Sequence, residues 1–336
     1  MVHFDLVCLG ELLIDMFPGA IGKRLEEVRS FTPKPGGAPA NVAVAASRLG
    51  LKTAFIGKVG EDHFGKYLAQ LLADEGVNTE GLKFNPQVRT TMAIIAQPTV
   101  EEAEFVFYRN PGADQTLTAE ELNHSILLSS KILHIGTLSL TDEPARSATR
   151  EAIRIAGGAG ALISCDVNYR PALWKDPAQA LVEIERVLPE INYLKVNENE
   201  AQLLSGSVHV QAGRVDELET AADVMLAKGP KLVVISLGSA GSYFKVRGGS
   251  GQLVKSFEVE SVDSVGCGDA FVAGLLTQIV SREEVGVDLD PKFLQEAVRF
   301  ANGVGAITST VKGAIPAMPK LSEVNEFLVK HREDRP

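Results

Sequence analysis

Short apolar runs alternate with longer amphipathic stretches along most of this chain. The opening FDLVCLG reads as a buried strand that ends in glycine. Similar apolar strands are predicted at Thr53–Ile56, Lys131–Ile135, Ala161–Cys165, Tyr193–Val196 and Leu232–Ser236. Helical spacing is predicted at Pro39–Leu49, Phe64–Glu75, Glu143–Ala156, Ala178–Leu188, Glu198–Leu204 and Val215–Ala227. Helices at Asp269–Ile279, Lys292–Ile307 and Ser322–His331 close the chain. Strands alternating with helices imply an α/β fold with a mostly parallel sheet covered on both faces. Two stretches break the rhythm. Leu12–Lys34 and Val88–Arg109 carry short alternating segments, such as Thr90–Ala96 and Glu104–Tyr108, that suggest a small antiparallel sheet. Each leaves the α/β pattern at the C-terminal end of a strand, where such sheets bind ligands, so the small sheet would act as a lid. Gly248, Gly249 and Gly251 read as a hairpin tip. With no internal repeat or low-complexity linker, residues 1–336 read as one domain, its lid built from about 12–36 and 88–112.

Composition narrows the classes. A chain of 336 residues, 45% hydrophobic and 23% charged, is expected to be globular and to bury a large core. Its net charge of -10 and lack of a basic block argue against nucleic acid or an anionic membrane as partner. Backbone amides can still hold the phosphates of ATP. No secretion signal is read at the N-terminus, and no apolar run approaches the roughly 20 residues that span a bilayer. Cys8, Cys165 and Cys267 are far apart and are expected to be reduced thiols in a cytoplasmic protein.

The phosphate-binding pattern GxxxxGK[ST] is absent, GELLID stands where GxGxxG would follow the first strand, and HExxH does not occur. The six histidines show no metal-ligand spacing. In VDSVGCGDAFVAG, however, Gly266, Cys267 and Gly268 precede a helix with apolar Phe271, Leu275, Leu276 and Ile279. Free N–H groups and the helix dipole favour an anion at such a start. Asp269 is then either a first-turn capping residue or a general base beside a phosphate. A second segment, Gly36 to Leu68, places Gly36 and Gly37 before Pro39, Ala40 and Asn41: a tight turn entering a helix whose Ala43, Ala45 and Ala46 allow close packing.

Together the two segments resemble the signatures of the ribokinase-like, or PfkB, sugar kinases: GG-x-PAN-x-A with LG, IG-x-VG-x-D and FG, then a variant of DTTGAGD-x-F at Asp263–Phe271. The resemblance spans essentially the whole chain. It implies a three-layer α/β/α sandwich with a β-lid, and transfer of the γ-phosphoryl group of ATP, with Mg²⁺, to a sugar hydroxyl. It makes Asp269 the catalytic base and the amides of Gly266, Cys267 and Gly268 the anion hole, consistent with a reaction that needs positioning and charge stabilisation. By the same resemblance Ser236, Gly238 and Gly241 form a nucleotide turn, which also suits a hairpin. Asn197 and Glu200 match an N-x-x-E motif acting on Mg²⁺ and phosphate, Glu200 through water, although they equally suit a capping box. Asn302 and Gly305 fall at the adenine site. Asp263 with the backbone of Val265, Thr308, Val311 and Gly313 matches a monovalent-cation site, usually for K⁺; Ala317 stands where some members carry serine, which weakens the expectation of strong K⁺ activation.

Asp15 falls where the family holds sugar hydroxyls, beside Gly36, Gly37 and Asn41. The segment Phe107–Asp114 resembles the fructokinase lid, and Asp166–Arg170, with Asn168, matches both fructokinases and 2-keto-3-deoxygluconate kinases. Arg109 is expected to position fructose, and Arg170 to serve phosphate charge; on a sugar acid both would meet a carboxylate. The resemblance is closest to fructokinases, with 2-keto-3-deoxygluconate kinase second and a non-catalytic sugar or nucleotide sensor as a reading of another class. A homodimer paired through the lids is expected. Cys267, at a helix start, is expected to have a lowered pKa and to be the most reactive thiol, protected by ATP.

Overall fold

The alternation within the first strand already separates the molecule into layers. The structure, a computed structural model, describes residues 3–96, 98–99, 104–206, 210–282 and 290–331; His209 and positions 97 and 100–103 of the second lid stretch lie outside them. The strands are β1 (Phe4–Leu9), β2 (Leu13–Pro18), β3 (Phe31–Gly36), β4 (Thr53–Gly60), β5 (Asn78–Asn85), β6 (Met92–Ala96), β7 (Glu104–Tyr108), β8 (Ser130–Gly136), β9 (Leu162–Asp166), β10 (Tyr193–Asn197), β11 (Leu232–Ser236), β12 (Ser242–Val246) and β13 (Gln252–Val254). The helices are α1 (Ala38–Arg48), α2 (His63–Asp74), α3 (His124–Leu128), α4 (Ala145–Gly158), α5 (Pro177–Val187), α6 (Glu198–Ser205), α7 (Val215–Ala227), α8 (Cys267–Val280), α9 (Pro291–Ser309) and α10 (Leu321–Lys330).

Leu6 and Cys8 of β1 join the core beneath α1, α2, α8 and α9, while Val7 and Leu9 join the core beneath α3 to α7. The sheet between them has nine strands in the order β13-β12-β11-β10-β9-β8-β1-β4-β5. It is parallel from β5 across to β11, and β11, β12 and β13 close one edge as antiparallel neighbours. The expected α/β/α sandwich is therefore present, and the glycines after Val246 do form the β12–β13 hairpin tip. Helix α8 lies close on α9, where a Cβ at Gly274 would come within 2.9 Å of Val304. Among the described residues no helix is long and apolar enough to cross a membrane.

The two irregular stretches meet in one four-stranded sheet of order β3-β2-β6-β7. Its outer pairs, β2–β3 and β6–β7, are antiparallel hairpins, but the central β2–β6 pair is parallel. The physical reason is connectivity: β2 follows closely on β1 and β6 comes after β5, whose neighbour β4 is parallel to β1, so both segments leave the large sheet in the same sense. The small sheet thus extends from the C-terminal ends of β1 and β5.

Candidate active site

Two glycine-led helix starts face each other at that end of the sheet. Gly37 caps α1 with φ 106°, and a Cβ there would collide with the backbone of Glu11. Gly266 caps α8 with φ 82°, and a Cβ there would lie 2.8 Å from Ala314. From these starts Asn41 and Asp269 reach toward each other: Asn41 Nδ2 donates to Asp269 Oδ2 at 2.8 Å. Asn41 Oδ1 is buried without a protein partner among the described residues. Burial pushes the Asp269 carboxyl up to about 7; the Asn41 hydrogen bond opposes this, Asp166 adds to it, and Lys195 and Arg170 oppose it. A carboxylate poised near neutrality is suited to accept a proton.

Asp15 projects from β2 toward the same place. It is 9% exposed, and a Cβ at Gly36 would fall on its carboxylate. Burial first, and Asp269 second, raise its pKa to about 7, against the pull of Arg170. No protein donor is hydrogen-bonded to the Asp15 side chain among the described residues, so its oxygens are available to a ligand that brings hydroxyl donors. Glu11, absent from the sequence-based site, supports this corner: its Oε1 accepts from the Ala38 N–H at 2.9 Å and so caps α1. Burial raises Glu11 to about 7.

The arginines separate in role. Arg109 is 4% exposed; its Nε donates to Asp114 at 2.7 Å, Nη1 to Thr141 Oγ1 at 2.9 Å and Nη2 to the Leu138 carbonyl at 3.0 Å. Every guanidinium nitrogen is engaged by the scaffold, so the expectation that Arg109 grips the sugar is revised: it anchors the end of β7 to the loop after β8. Arg170 is only lightly held, by the Tyr169 carbonyl at 3.3 Å and the Phe105 ring at 5.9 Å, and its charge acts on both Asp15 and Asp269. It follows Asn168, which takes the left-handed conformation at φ 41° and turns the chain there.

Beneath the α8 start lies a charge cluster that the sequence reading missed. Lys195 Nζ, on β10, contacts Asp166 at 3.0 Å and lies 3.1 Å from where a Gly268 Cβ would be. Burial works against its charge, but Asp166 and Glu200 hold its pKa above the usual lysine value. The only sequence signal was a lysine inside an apolar strand. Glu200 accepts from Tyr169 N–H at 2.7 Å and Asn197 N–H at 2.8 Å, while Asn197 Oδ1 caps α6. The capping box is therefore formed. Both Glu200 oxygens already bind backbone, so this acidic pair with Asp166 fits a hydrated divalent ion better than one stripped of its water.

Beside the α8 start is a cavity of ≈ 410 Å³ lined by Ser236, Gly238, Gly241, Cys267, Asn302 and Gly305 among others. It brings together most of the residues expected to hold a nucleotide, with Asn197, Glu200 and Gly266 lying outside its wall. Asn302 accepts from Ser242 at 2.7 Å and donates to the Val254 carbonyl at 3.1 Å, so it shapes that wall through the β12–β13 hairpin. On the far side, Asp263 is buried and accepts from Val265 N–H at 3.1 Å and Gly313 N–H at 2.8 Å. It thus pins together the two loops whose carbonyls, with those of Thr308 and Val311, would face a monovalent cation; a buried carboxylate between carbonyls fits such an ion.

The expectation for Cys267 needs correction. Burial, then Asp263 and Asp269, push its thiol up to about 12, outweighing the helix start. It remains less buried than Cys8 and Cys165. We predict that at pH 7.5 iodoacetamide labels Cys267 more slowly than free cysteine, yet ahead of the other two; labelling faster than free cysteine would refute the electrostatic account.

Comparison with known proteins agrees with this geometry. Residues 3–321 match the pfkB family carbohydrate kinase description. The chain is 42% identical to fructokinase-1 of Zea mays, covering 97% of this chain and 98% of that protein. It superposes on the ATP-bound fructokinase of Xylella fastidiosa with TM-score 0.85 at 31% identity, covering 98% of this chain and 100% of the other. The Vibrio cholerae O395 fructokinase with fructose, ADP and calcium gives TM-score 0.83 at 32% identity, with coverage of 97% and 99%. The chain belongs to the PfkB family of carbohydrate kinases.

Proposed function

We propose that this protein is an ATP-dependent fructokinase, forming fructose 6-phosphate. The observation that carries the reading is the pairing of Asp15, a buried carboxylate without a protein donor among the described residues, with Asp269, held by Asn41 at a helix start. The first offers acceptors to sugar hydroxyls; the second takes the proton of the attacking one. Fructokinases of maize and Xylella, similar over nearly their full length, support fructose as the sugar. A second reading, phosphorylation of 2-keto-3-deoxygluconate, is favoured by Arg170, whose lightly held guanidinium could meet a sugar carboxylate.

In this reading the sugar lies between Asp15, the Gly36–Gly37 turn and Asn41, and the small sheet acts as a lid that closes over it and excludes water, which would otherwise compete as acceptor. ATP occupies the cavity beside α8 with its phosphates toward the helix start. Asp269 accepts the hydroxyl proton as the γ-phosphoryl group moves in line. The amides of Gly266, Cys267 and Gly268, with the Lys195 ammonium beneath them, hold the developing negative charge. Mg²⁺ when bound would neutralise phosphate charge, held through water by Glu200 and Asp166. Asp263, with the carbonyls of Val265, Thr308, Val311 and Gly313, offers a place for one positive charge. The edge strand β7 exposes Val106 and Tyr108, 43% and 58% exposed, which suits pairing of two lids in a homodimer. Three free, well-separated cysteines suit the cytoplasm.

Steady-state assays of ADP release should give a higher kcat/KM for fructose than for 2-keto-3-deoxygluconate; the reverse order would replace fructose with the sugar acid. Asp269→Asn should lower kcat by about 10²–10⁴-fold while fructose still binds by calorimetry, and near-normal turnover would remove the base assignment. Because burial raises both Asp269 and Asp15 to about 7, and the base must be unprotonated, kcat/KM should fall as pH drops through about 7 and level off above it. A profile flat from pH 5 to 8 would contradict this, since it would require carboxyls of ordinary acidity near about 4. Light scattering should report a dimer that Val106→Lys weakens; a monomer at assay concentration would reject the lid pairing.

A further inference from the structure

The small sheet presents a second charged side chain on the face that offers Asp15. In the β2–β3 register Lys34 is paired directly with Asp15, and directly opposed residues project to the same face. From there Lys34 reaches away from the sugar corner, over the Phe17 ring at 4.8 Å, and its Nζ donates to the carbonyl of Lys312 at 2.9 Å. Lys312 lies between Val311 and Gly313, two positions whose carbonyls would face a monovalent cation. Gly313 has φ 100°, a conformation that favours glycine, and a Cβ there would stand 2.7 Å from the Lys34 ammonium. The contact is reciprocated, for Lys312 Nζ approaches the Pro18 carbonyl of β2 at 3.4 Å.

Asp263 gives this placement its meaning. A carboxylate buried to this degree calls for a positive partner. Its own hydrogen bonds come from backbone N–H groups of Val265 and Gly313, which carry no full charge. Lys34, bonded to the Lys312 carbonyl next to Gly313, brings a full positive charge to the loop that Asp263 holds through the Gly313 N–H. With two ammonium groups at one loop, a further cation enters against their repulsion. Ala317, itself buried, offers no hydroxyl to offset it.

We propose that Lys34 is a resident cation: its ammonium holds the loop at 310–313 in place of a dissociable K⁺, and ties that loop to the strand pair that binds the sugar. The inference rests on the kinase reading and on the assignment of Asp263 to a cation site. Two consequences follow. The anion hole at Gly266–Gly268, three residues beyond Asp263, is set without added salt. Sugar-induced movement of the small sheet is transmitted to that loop through Lys34.

The test compares the wild type with Lys34→Met and Lys34→Arg in KCl and in choline chloride at equal ionic strength, by thermal melting and by fructose phosphorylation. The wild type and Lys34→Arg should respond alike in both salts. Lys34→Met should acquire a K⁺ response: melting raised by about 2–4 °C in KCl, and kcat/KM raised by about fivefold or more. Strong K⁺ activation of the wild type would overturn the proposal. So would a folded, active Lys34→Met that ignores K⁺, and neither result would touch the kinase reading. If Lys34→Met does not fold, K⁺ sensitivity of Lys34→Arg decides: an arginine variant that behaves as wild type supports a charge that replaces the ion, and one that becomes strongly K⁺-dependent counts against it. Failure of the wild type to phosphorylate any sugar would instead remove the kinase reading.

Discussion

Asn41 and Asp269 belong to helices more than two hundred residues apart in the chain, and the 2.8 Å hydrogen bond between them marks where two anion-favouring helix starts converge. Both starts need glycine: at 37 because Glu11 backbone is in contact, at 266 because Ala314 is. A carboxylate placed at this convergence is removed from water yet held by one donor, and burial wins over the hydrogen bond in setting its acidity. The same geometry that would hold phosphate therefore also raises the base to neutrality. Asp15, from the small sheet, is raised for the same reason and is the side chain that a sugar would complete.

Charge is distributed around this point in a graded way. Asp166 and Glu200 lie on one side with Lys195 between them and the α8 start; Asp263 lies on the other, where Lys34 bonds the Lys312 carbonyl of the adjoining loop. The charge of Arg170 opposes the rise of both Asp15 and Asp269. Such an arrangement is under-supplied with positive charge at the divalent side, where backbone N–H groups satisfy Glu200 and leave room for a hydrated ion. At the Asp263 side the chain supplies its own ammonium.

Much of this was legible in the sequence because it is written in local pattern. The βα rhythm gave the central sheet, and paired glycines before Asn41 and Asp269 gave both helix starts. What stayed hidden depends on long-range contact. The edge strand β5, NTEGLKFN, is half-exposed and lacks the apolar run of a central strand. The parallel β2–β6 pairing joins segments far apart in sequence and has no local signature. Lys195 lies within a predicted strand, and its role depends on Asp166 and Gly268, which only the folded chain brings beside it. Arg109 carried a plausible motif, yet Asp114, Thr141 and Leu138 claim its donors. For Cys267, where the helix start suggested a lowered pKa, burial and two nearby carboxylates raise it instead.

The account stands on a base that burial at a helix start has brought to neutrality. Its most direct test is the titration of Asp269 itself, followed by carboxyl ¹³C chemical shift in aspartate-labelled protein and assigned by comparison with Asp269→Asn. The account predicts a midpoint at about 7 for the ligand-free protein. A midpoint in the ordinary aspartate range near about 4 would contradict it.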